Sequence, residues 1–261
     1  MRVPVVQHGT RRRRALRRRA LWAGGEALVT VGVVLLLLVV HQLWWTNRQA
    51  REGAERKVEA LEREWGSGGR GVEEGGGQGA AAPAGPSEEP AREEPARRQR
   101  ADQPQPSAPD PAYAILTIPR LDLRVPVAEG ISKPDVLNKG YVGHYPGTQQ
   151  PGRAGNFALA GHRNTHGEPF RYLNRLDDGD RILVETQDAV YTYAVDQTVP
   201  QTSARDTGVL RPVPRSLVHP ARGYRDPGYY LTLTTCTPEY TSTYRLVVWG
   251  TLTSMRPAPE R

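Results

Sequence analysis

Three residues with reactive or charged side chains lie in the second half of the chain, next to short apolar runs. Cys236 is the only cysteine, His162 follows one apolar run directly after a glycine, and Arg245 precedes another. A thiolate attacks a carbonyl carbon, an imidazole protonates the leaving amine, and a guanidinium donates hydrogen bonds to the developing oxyanion. Together these residue types suggest acyl transfer through a thioester.

Each of the three residues also has an ordinary interpretation. A single cysteine is commonly a small buried hydrophobe or half of an intermolecular disulfide. A histidine at a strand end is usually a polar surface residue, and an arginine within a strand usually faces solvent. Spacing alone leaves these alternatives open.

The segment before Cys236 has a strand pattern, which stops there because Pro238 cannot donate to a β-ladder and restricts the residue before it. We expect a hairpin in which Thr243 lies opposite Cys236. Arg245 then lies opposite Thr234, and the two-residue period places Arg245 on the same sheet face as Cys236. A slip of one residue would separate the two side chains.

The elements that position these residues belong to one domain, predicted for 112–255. Short β-like runs alternate with turn residues there, and helical periodicity is confined to brief pieces near 133–138 and 168–175. This texture favours an all-β fold, a closed or nearly closed barrel with short helices. The expected strand runs cover 121–127, 156–160, 181–185, 190–195, 229–235 and 244–252.

An apolar segment, 27–45, precedes this domain and is long enough for one transmembrane helix. Eight arginines and no acid occur in residues 1–20, so the tail 1–26 should be cytoplasmic and the later domain extracellular. A cleaved signal peptide is the alternative. Its apolar region would be shorter and would end in small residues, whereas this one ends in Trp44 and Trp45.

Two further segments connect the membrane to the domain. Residues 46–65 are charged, with acid and base pairs four positions apart, and predict a helical stalk. Residues 66–111 are rich in Pro, Gly and Glu and nearly free of large apolar side chains, which predicts a disordered linker. We expect 256–261 to be a flexible C-terminus.

The net charge of +7 belongs to the N-terminal tail. Outside residues 1–20 the chain has 27 basic and 28 acidic residues, because 8 of its 35 bases lie in that tail. A nucleic-acid-binding domain would carry its bases on a folded surface. We therefore expect no nucleic-acid partner.

The segment TLTTC (232–236), followed nine residues later by Arg245, resembles the sortase signature, and GHR (161–163) resembles the sortase histidine motif. The order His, Cys, Arg agrees with that family. The segments LAGHR (159–163), GEPF (167–170) and GHYPGT (143–148) resemble class E sortases of actinobacteria. The resemblance covers about 112–252 and implies an eight-stranded sortase-type barrel.

The resemblance implies a role for each candidate site residue. Cys236 would be the nucleophile, His162 the general acid and base, and Arg245 the donor that positions substrate and stabilises the oxyanion, a task that suits a planar guanidinium. Thr235 would assist the oxyanion site, and Tyr145 would contact the sorting signal.

The resemblance also implies the reaction and its partners. A membrane-bound cysteine transpeptidase would cleave secreted proteins at a C-terminal sorting signal, between Thr and Gly, and transfer them to an amine of the peptidoglycan precursor. Class E members are expected to prefer Leu-Ala-x-Thr-Gly to Leu-Pro-x-Thr-Gly. The alternative function is a non-catalytic, membrane-anchored β-domain that binds cell-wall polymer or protein.

Several other polar residues lack a matching motif. His166 lies in a loop and is expected at the rim of the site, while His144 and His219 match no motif. Three acids near one turn, Asp177, Asp178 and Asp180, are expected to be solvated and not to form a calcium site. We expect no metal and no cofactor.

Overall fold

The structure is a computed structural model that describes residues 8–68 and 112–259. The linker predicted for 66–111 lies outside the described residues from position 69 onward, and so do the last two residues of the predicted C-terminal segment.

A single helix, α1 (His8–Gly68), runs through the predicted tail, membrane segment and stalk. Its part from Leu21 to Ser67 contains an apolar stretch that is long enough to cross a membrane, and that stretch is entirely exposed in the protein. By length and composition, α1 is therefore a helix that can span a bilayer.

Eight strands form the closed barrel that the sequence predicts, with neighbours in the order β1-β2-β3-β4-β7-β8-β6-β5. Most neighbours are antiparallel, but β2 pairs with β3 and β4 pairs with β7 in parallel. The strands are β1 (Ala112–Ile118), β2 (Leu123–Glu129), β3 (Val142–His144), β4 (Gly155–Ala160), β5 (Arg181–Glu185), β6 (Ala189–Ser203), β7 (Tyr229–Thr237) and β8 (Tyr244–Pro257).

The barrel core consists of side chains that alternate along each strand. On β1, Ala114, Leu116 and Ile118 point inward and are fully buried. They meet inward-facing residues of the other strands, including Phe157 on β4 and Leu231 on β7. The two-residue period of a strand produces this separation into an inner and an outer face.

The stalk packs against the outside of this barrel. Ala54, Val58 and Leu61 lie on one face of α1, three or four residues apart, and cover Ile115 of β1, which points outward yet is fully buried. Burial of one such aliphatic side chain contributes roughly 1.5–3 kcal/mol. The sequence predicts a stalk separate from the domain, whereas its apolar stripe is part of a second hydrophobic cluster with β1 and β2.

The C-terminal strand is longer than expected. β8 continues to Pro257, and Arg256 pairs with Val190 on β6. The boundary predicted at 255 therefore falls inside the strand, because the long partner β6 extends the ladder to that point.

Candidate active site

A cleft of about 1260 Å³ opens where β4 and β7 end and β8 begins. It brings together the five side chains that the sequence singles out. These are Tyr145, His162, Thr235, Cys236 and Arg245.

Parallel pairing of β4 with β7 places the histidine and the cysteine at one edge of the sheet. Ala160 is the register partner of Thr234. His162 and Cys236 each follow two residues later, so the backbone brings them to the same level of the barrel. Cys236 is half-buried and its thiol is free.

Cys236 and Arg245 are direct partners in the antiparallel ladder of β7 and β8. The predicted register, with Thr243 opposite Cys236, is wrong by two residues because pairing continues to Thr237, which lies opposite Tyr244. A shift of two preserves the face on which a side chain lies, so Cys236 and Arg245 still share one face.

The Arg245 side chain is anchored to the hairpin loop. Its Nη1 donates to the carbonyl oxygens of Ser242 and Tyr244, each at 2.9 Å. These two bonds use only one nitrogen of the guanidinium fork, so donors remain for an oxygen in the cleft.

The His162 imidazole lies beside Asn138, in the 3₁₀ turn Leu137–Lys139. Its Nε2 is 2.9 Å from Oδ1 of Asn138, so Nε2 carries the hydrogen and Nδ1 has the basic lone pair. Burial, followed by the nearby His166 and Lys133, lowers the pKa of His162 to about 4. The imidazole is therefore neutral at pH 7 and can accept a proton. Asn138 could not be predicted from the sequence, because no spacing rule connects this turn with β4.

Arg163 is a second residue of the site that was not predicted. It is 7% exposed, and its Nη1 donates to the carbonyl oxygen of Cys236 at 3.2 Å and to Oγ1 of Thr237 at 2.8 Å. Its Nη2 donates to Oδ1 of Asn174 at 3.3 Å. Arg163 thus ties the residue after His162 to the end of β7. Its place within the GHR motif is the signal that could have identified it.

The two secondary candidates also lie at the junction of β4 and β7. The Tyr145 hydroxyl is 3.0 Å from Oγ1 of Thr234. The Thr235 hydroxyl donates to the carbonyl oxygen of Gly161 at 2.8 Å, directly before His162. Both side chains border the cleft, and Thr235 fixes the end of β4 against β7.

The remaining histidines have different surroundings. His166 borders the cleft, with its ring centroid 5.3 Å from that of His162. His144 is buried, and its Nδ1 is 2.9 Å from both the Tyr113 hydroxyl and the Glu129 carboxylate. His219 is exposed and contacts the carbonyl oxygen of Gln201.

The acidic turn is partly neutralised by a neighbouring base. Arg120 lies 3.6 Å from Asp177 and 3.9 Å from Asp180. Within 8–68 and 112–259, no group of three or more His, Cys, Asp or Glu side chains is arranged to hold a metal ion.

The sequence model of the sortase domain matches residues 116–253. The chain therefore belongs to the sortase family, whose members are cysteine transpeptidases.

Class E sortases are among the similar proteins. The chain is 42% identical to Sortase SrtE1 of Streptomyces coelicolor over 89% of its own length and 57% of that relative, so it spans little more than half of it. It is 33% identical to Sortase SrtE2 of the same organism, over 94% of this chain and 86% of that one.

The barrel is also similar to a solved structure, Sortase E1 from Streptomyces coelicolor with a tripeptide in the active site. The identity is 53% and the TM-score 0.54, over 57% of this chain and 93% of that one. These relatives agree with the resemblance to class E, and the barrel agrees with the predicted fold class.

Proposed function

We propose that this chain is a membrane-anchored transpeptidase in which Cys236 is the nucleophile, His162 the general acid and base, and Arg245 the oxyanion donor. The proposal depends on one observation above all. The three side chains come from three separate strand ends and border one cleft, with Cys236 and Arg245 as cross-strand partners. Family membership supports the same assignment.

The first half of the reaction forms a thioester. Nδ1 of His162 takes the thiol proton, and Sγ of Cys236 attacks the carbonyl carbon of Thr in the sorting signal. Donors of Arg245 stabilise the oxyanion. The imidazolium then protonates the Gly nitrogen, the C–N bond breaks, and the C-terminal peptide leaves with a free amine.

The second half reverses these roles. An amine of the peptidoglycan precursor attacks the thioester carbonyl and gives its proton to Nδ1 of His162. The C–S bond breaks, and the thiolate of Cys236 recovers the proton. A neutral imidazole suits both halves because it accepts a proton before it donates one.

Two residues are proposed to act on the substrate, Tyr145 through its side chain and Thr235 through its backbone. Tyr145 borders the cleft beside Thr234. Its ring can therefore pack against the second residue of the sorting signal, which is Ala in Leu-Ala-x-Thr-Gly. We assign the preference for Leu-Ala-x-Thr-Gly to this contact. The Thr235 hydroxyl is already bound to Gly161, so its contribution to the oxyanion site would come through the backbone.

The substrates would be secreted proteins with a C-terminal sorting signal, and the enzyme would meet them at the cell surface. The N-terminal tail of α1 would be cytoplasmic and the barrel extracellular, because eight arginines precede the apolar stretch. Protease added to intact cells should then digest the barrel and spare the tail. Protection of the barrel would contradict this orientation.

The test uses the full chain in detergent micelles with two peptides that contain either Leu-Ala-x-Thr-Gly or Leu-Pro-x-Thr-Gly. We expect cleavage between Thr and Gly, faster for the Ala peptide, and transfer to an added amine. Cys236→Ala should abolish cleavage and His162→Ala should nearly abolish it. The matched control is His219→Gln, an exposed histidine whose side chain does not border the cleft, which should cleave at the wild-type rate. Cleavage by Cys236→Ala, or none by the wild type, would overturn the proposal.

A further inference from the structure

The membrane-proximal part of α1 forms one wall of the catalytic cleft. Leu43, Trp44, Thr46 and Asn47 border the same cavity as Cys236. A helix that served only as a tether would not need to contact the catalytic cleft.

Polar contacts connect this part of α1 to the loop after β4, and they meet at Glu168. Asn47 donates from Nδ2 to Oε1 of Glu168 at 2.6 Å, and Arg51 lies 3.2 Å from Oε2. Arg51 also donates from Nε to the carbonyl oxygen of Gly167 at 3.0 Å. Arg171, from the barrel side, is 2.5 Å from Oε2 of Glu168.

The Glu168 carboxylate is almost completely removed from solvent, with 5% of the side chain exposed. A buried charge depends strongly on all of its partners, and loss of Arg51 would leave this one with Arg171 and Asn47 alone. The helix and the barrel therefore share one buried anion.

The backbone of this loop requires external support. His166 and Glu168 have φ values of 53° and 54°, a left-handed conformation that costs non-glycine residues on the order of 1 kcal/mol or more each. The loop begins at His162, whose carbonyl oxygen accepts a hydrogen bond from the Phe170 backbone at 3.0 Å. Contacts that fix Glu168 thus fix the loop that carries His162.

α1 also touches the turn on the other side of the imidazole. Gly140 follows this turn in left-handed conformation, and a Cβ there would lie 2.8 Å from the carbonyl oxygen of Ala50. Asn138, two residues earlier, is the partner of His162. The helix therefore lies against both elements that hold the imidazole.

We infer that Glu168 is a positioning residue through which α1 holds the loop that carries His162, so that the anchor helix is a part of the active site. This inference rests on the proposed function, since it assigns His162 to proton transfer. It goes beyond that function because it gives the juxtamembrane helix a role in rate and not only in location.

Arg51 is the best residue at which to test the inference, because it lies on the helix and does not border the cleft. Arg51→Met removes the contacts to Glu168 and Gly167. Arg63→Met is the matched control, since Arg63 is exposed and donates within α1 to the carbonyl oxygen of Glu59 at 3.2 Å. Arg51→Lys keeps the charge and should recover part of any loss. All variants are full chains in detergent micelles, and their melting temperatures are compared first.

We expect Arg51→Met to lower kcat for peptide cleavage about tenfold, because small displacements of a catalytic group are costly, with KM changed less than about twofold. The acid limb of the pH–rate profile should move to higher pH. A looser loop exposes His162 to water, so the pKa of His162 rises from about 4 toward 6.5. Arg63→Met should match the wild type.

A double-mutant cycle separates this role from general stabilisation. If Arg51 acts through Glu168, then Arg51→Met combined with Glu168→Gln should lose little more rate than Glu168→Gln alone. Wild-type kcat and pH profile for Arg51→Met, or an equal loss for Arg63→Met, would overturn the inference. Failure of the proposed function would differ, because Cys236→Ala would then cleave as well as the wild type.

Discussion

His162 and Cys236 lie at the same level of the barrel, each two residues beyond the paired residues Ala160 and Thr234 of the parallel strands β4 and β7. Parallel strands end at the same edge of a sheet, so this register alone brings an imidazole and a thiol from distant parts of the chain to one cleft. The proposed catalysis depends on this juxtaposition and on the contacts that hold each side chain at the cleft.

Asn138 should control the orientation of His162. Its Oδ1 lies 2.9 Å from Nε2 and leaves Nδ1 to accept the thiol proton. We expect Asn138→Ala to lower kcat about tenfold or more, because a misoriented base loses part of its contribution. Asn138→Asp should instead raise the pKa of His162, because a carboxylate stabilises the imidazolium. Steady-state kinetics across pH test both, and an unchanged kcat in Asn138→Ala would show that this contact does not matter.

His166 should help to keep His162 neutral. Burial is the largest cause of the low pKa of His162, and His166 is the next. His166→Gln removes the effect of His166 and leaves the effect of burial. The pKa of His162 should therefore rise above about 4 and stay below 6.5. NMR titration of the His162 ring measures the shift. An unchanged or lower pKa would contradict this assignment.

The same substitution has a consequence for stability. The unfolded chain protonates His162 near pH 6.5, whereas the folded protein resists protonation until about pH 4. The free energy of unfolding should therefore fall as pH drops through this window. His166→Gln should reduce the part of that fall that His162 contributes. Urea denaturation at pH 7, 5.5 and 4.5 tests the difference, and an equal or steeper fall in the variant would argue against it.

Arg245 is expected to act through its planar fork. Arg245→Lys keeps the charge and a donor for the loop carbonyl oxygens of Ser242 and Tyr244, but it loses the fork. We predict a loss of about 10² or more in the rate of cleavage, with little change in melting temperature. A rate near that of the wild type would show that Arg245 contributes charge alone or is structural.

Arg163 should stabilise the end of β7. Removal of its guanidinium leaves the carbonyl oxygen of Cys236 and the hydroxyl of Thr237 without their donor. We expect Arg163→Met to lower the free energy of unfolding by about 1–3 kcal/mol. Urea denaturation measures the change, with Arg153→Met, at an exposed position, as the matched control. Equal stability of the two variants would mean that these contacts contribute little.

Much of the barrel could be predicted from local patterns. The alternation and the turn residues located β4, β5 and β7 to within two residues at either end, because those strands are bounded by clear turn residues. The strands β1 and β3 were missed, β3 because so short a run has no detectable period. Nothing local in the sequence indicates that β4 pairs with β7 in parallel.

The residues that border the cleft were predictable, whereas the contacts that support them were not. Cys236, His162 and Arg245 were singled out because each belongs to a motif, and all three border the cleft. The register error of two residues left Cys236 and Arg245 on one face, because side chains alternate with a period of two along a strand. Asn138 and the contacts of α1 were missed because they arise from tertiary packing. Val58, Leu61 and Trp65 are spaced three and four positions apart in the sequence, but nothing local identifies their partner surface on β1 and β2.

The most direct test of the account is mass spectrometry of the full chain during reaction with a Leu-Ala-x-Thr-Gly peptide in the absence of an acceptor amine. We predict an acyl adduct on Cys236 that has the mass of the peptide segment up to and including Thr. When an amine is added, this adduct should disappear and the transfer product should form. Cleavage of the peptide with no adduct on Cys236, or with an adduct on another residue, would contradict the account.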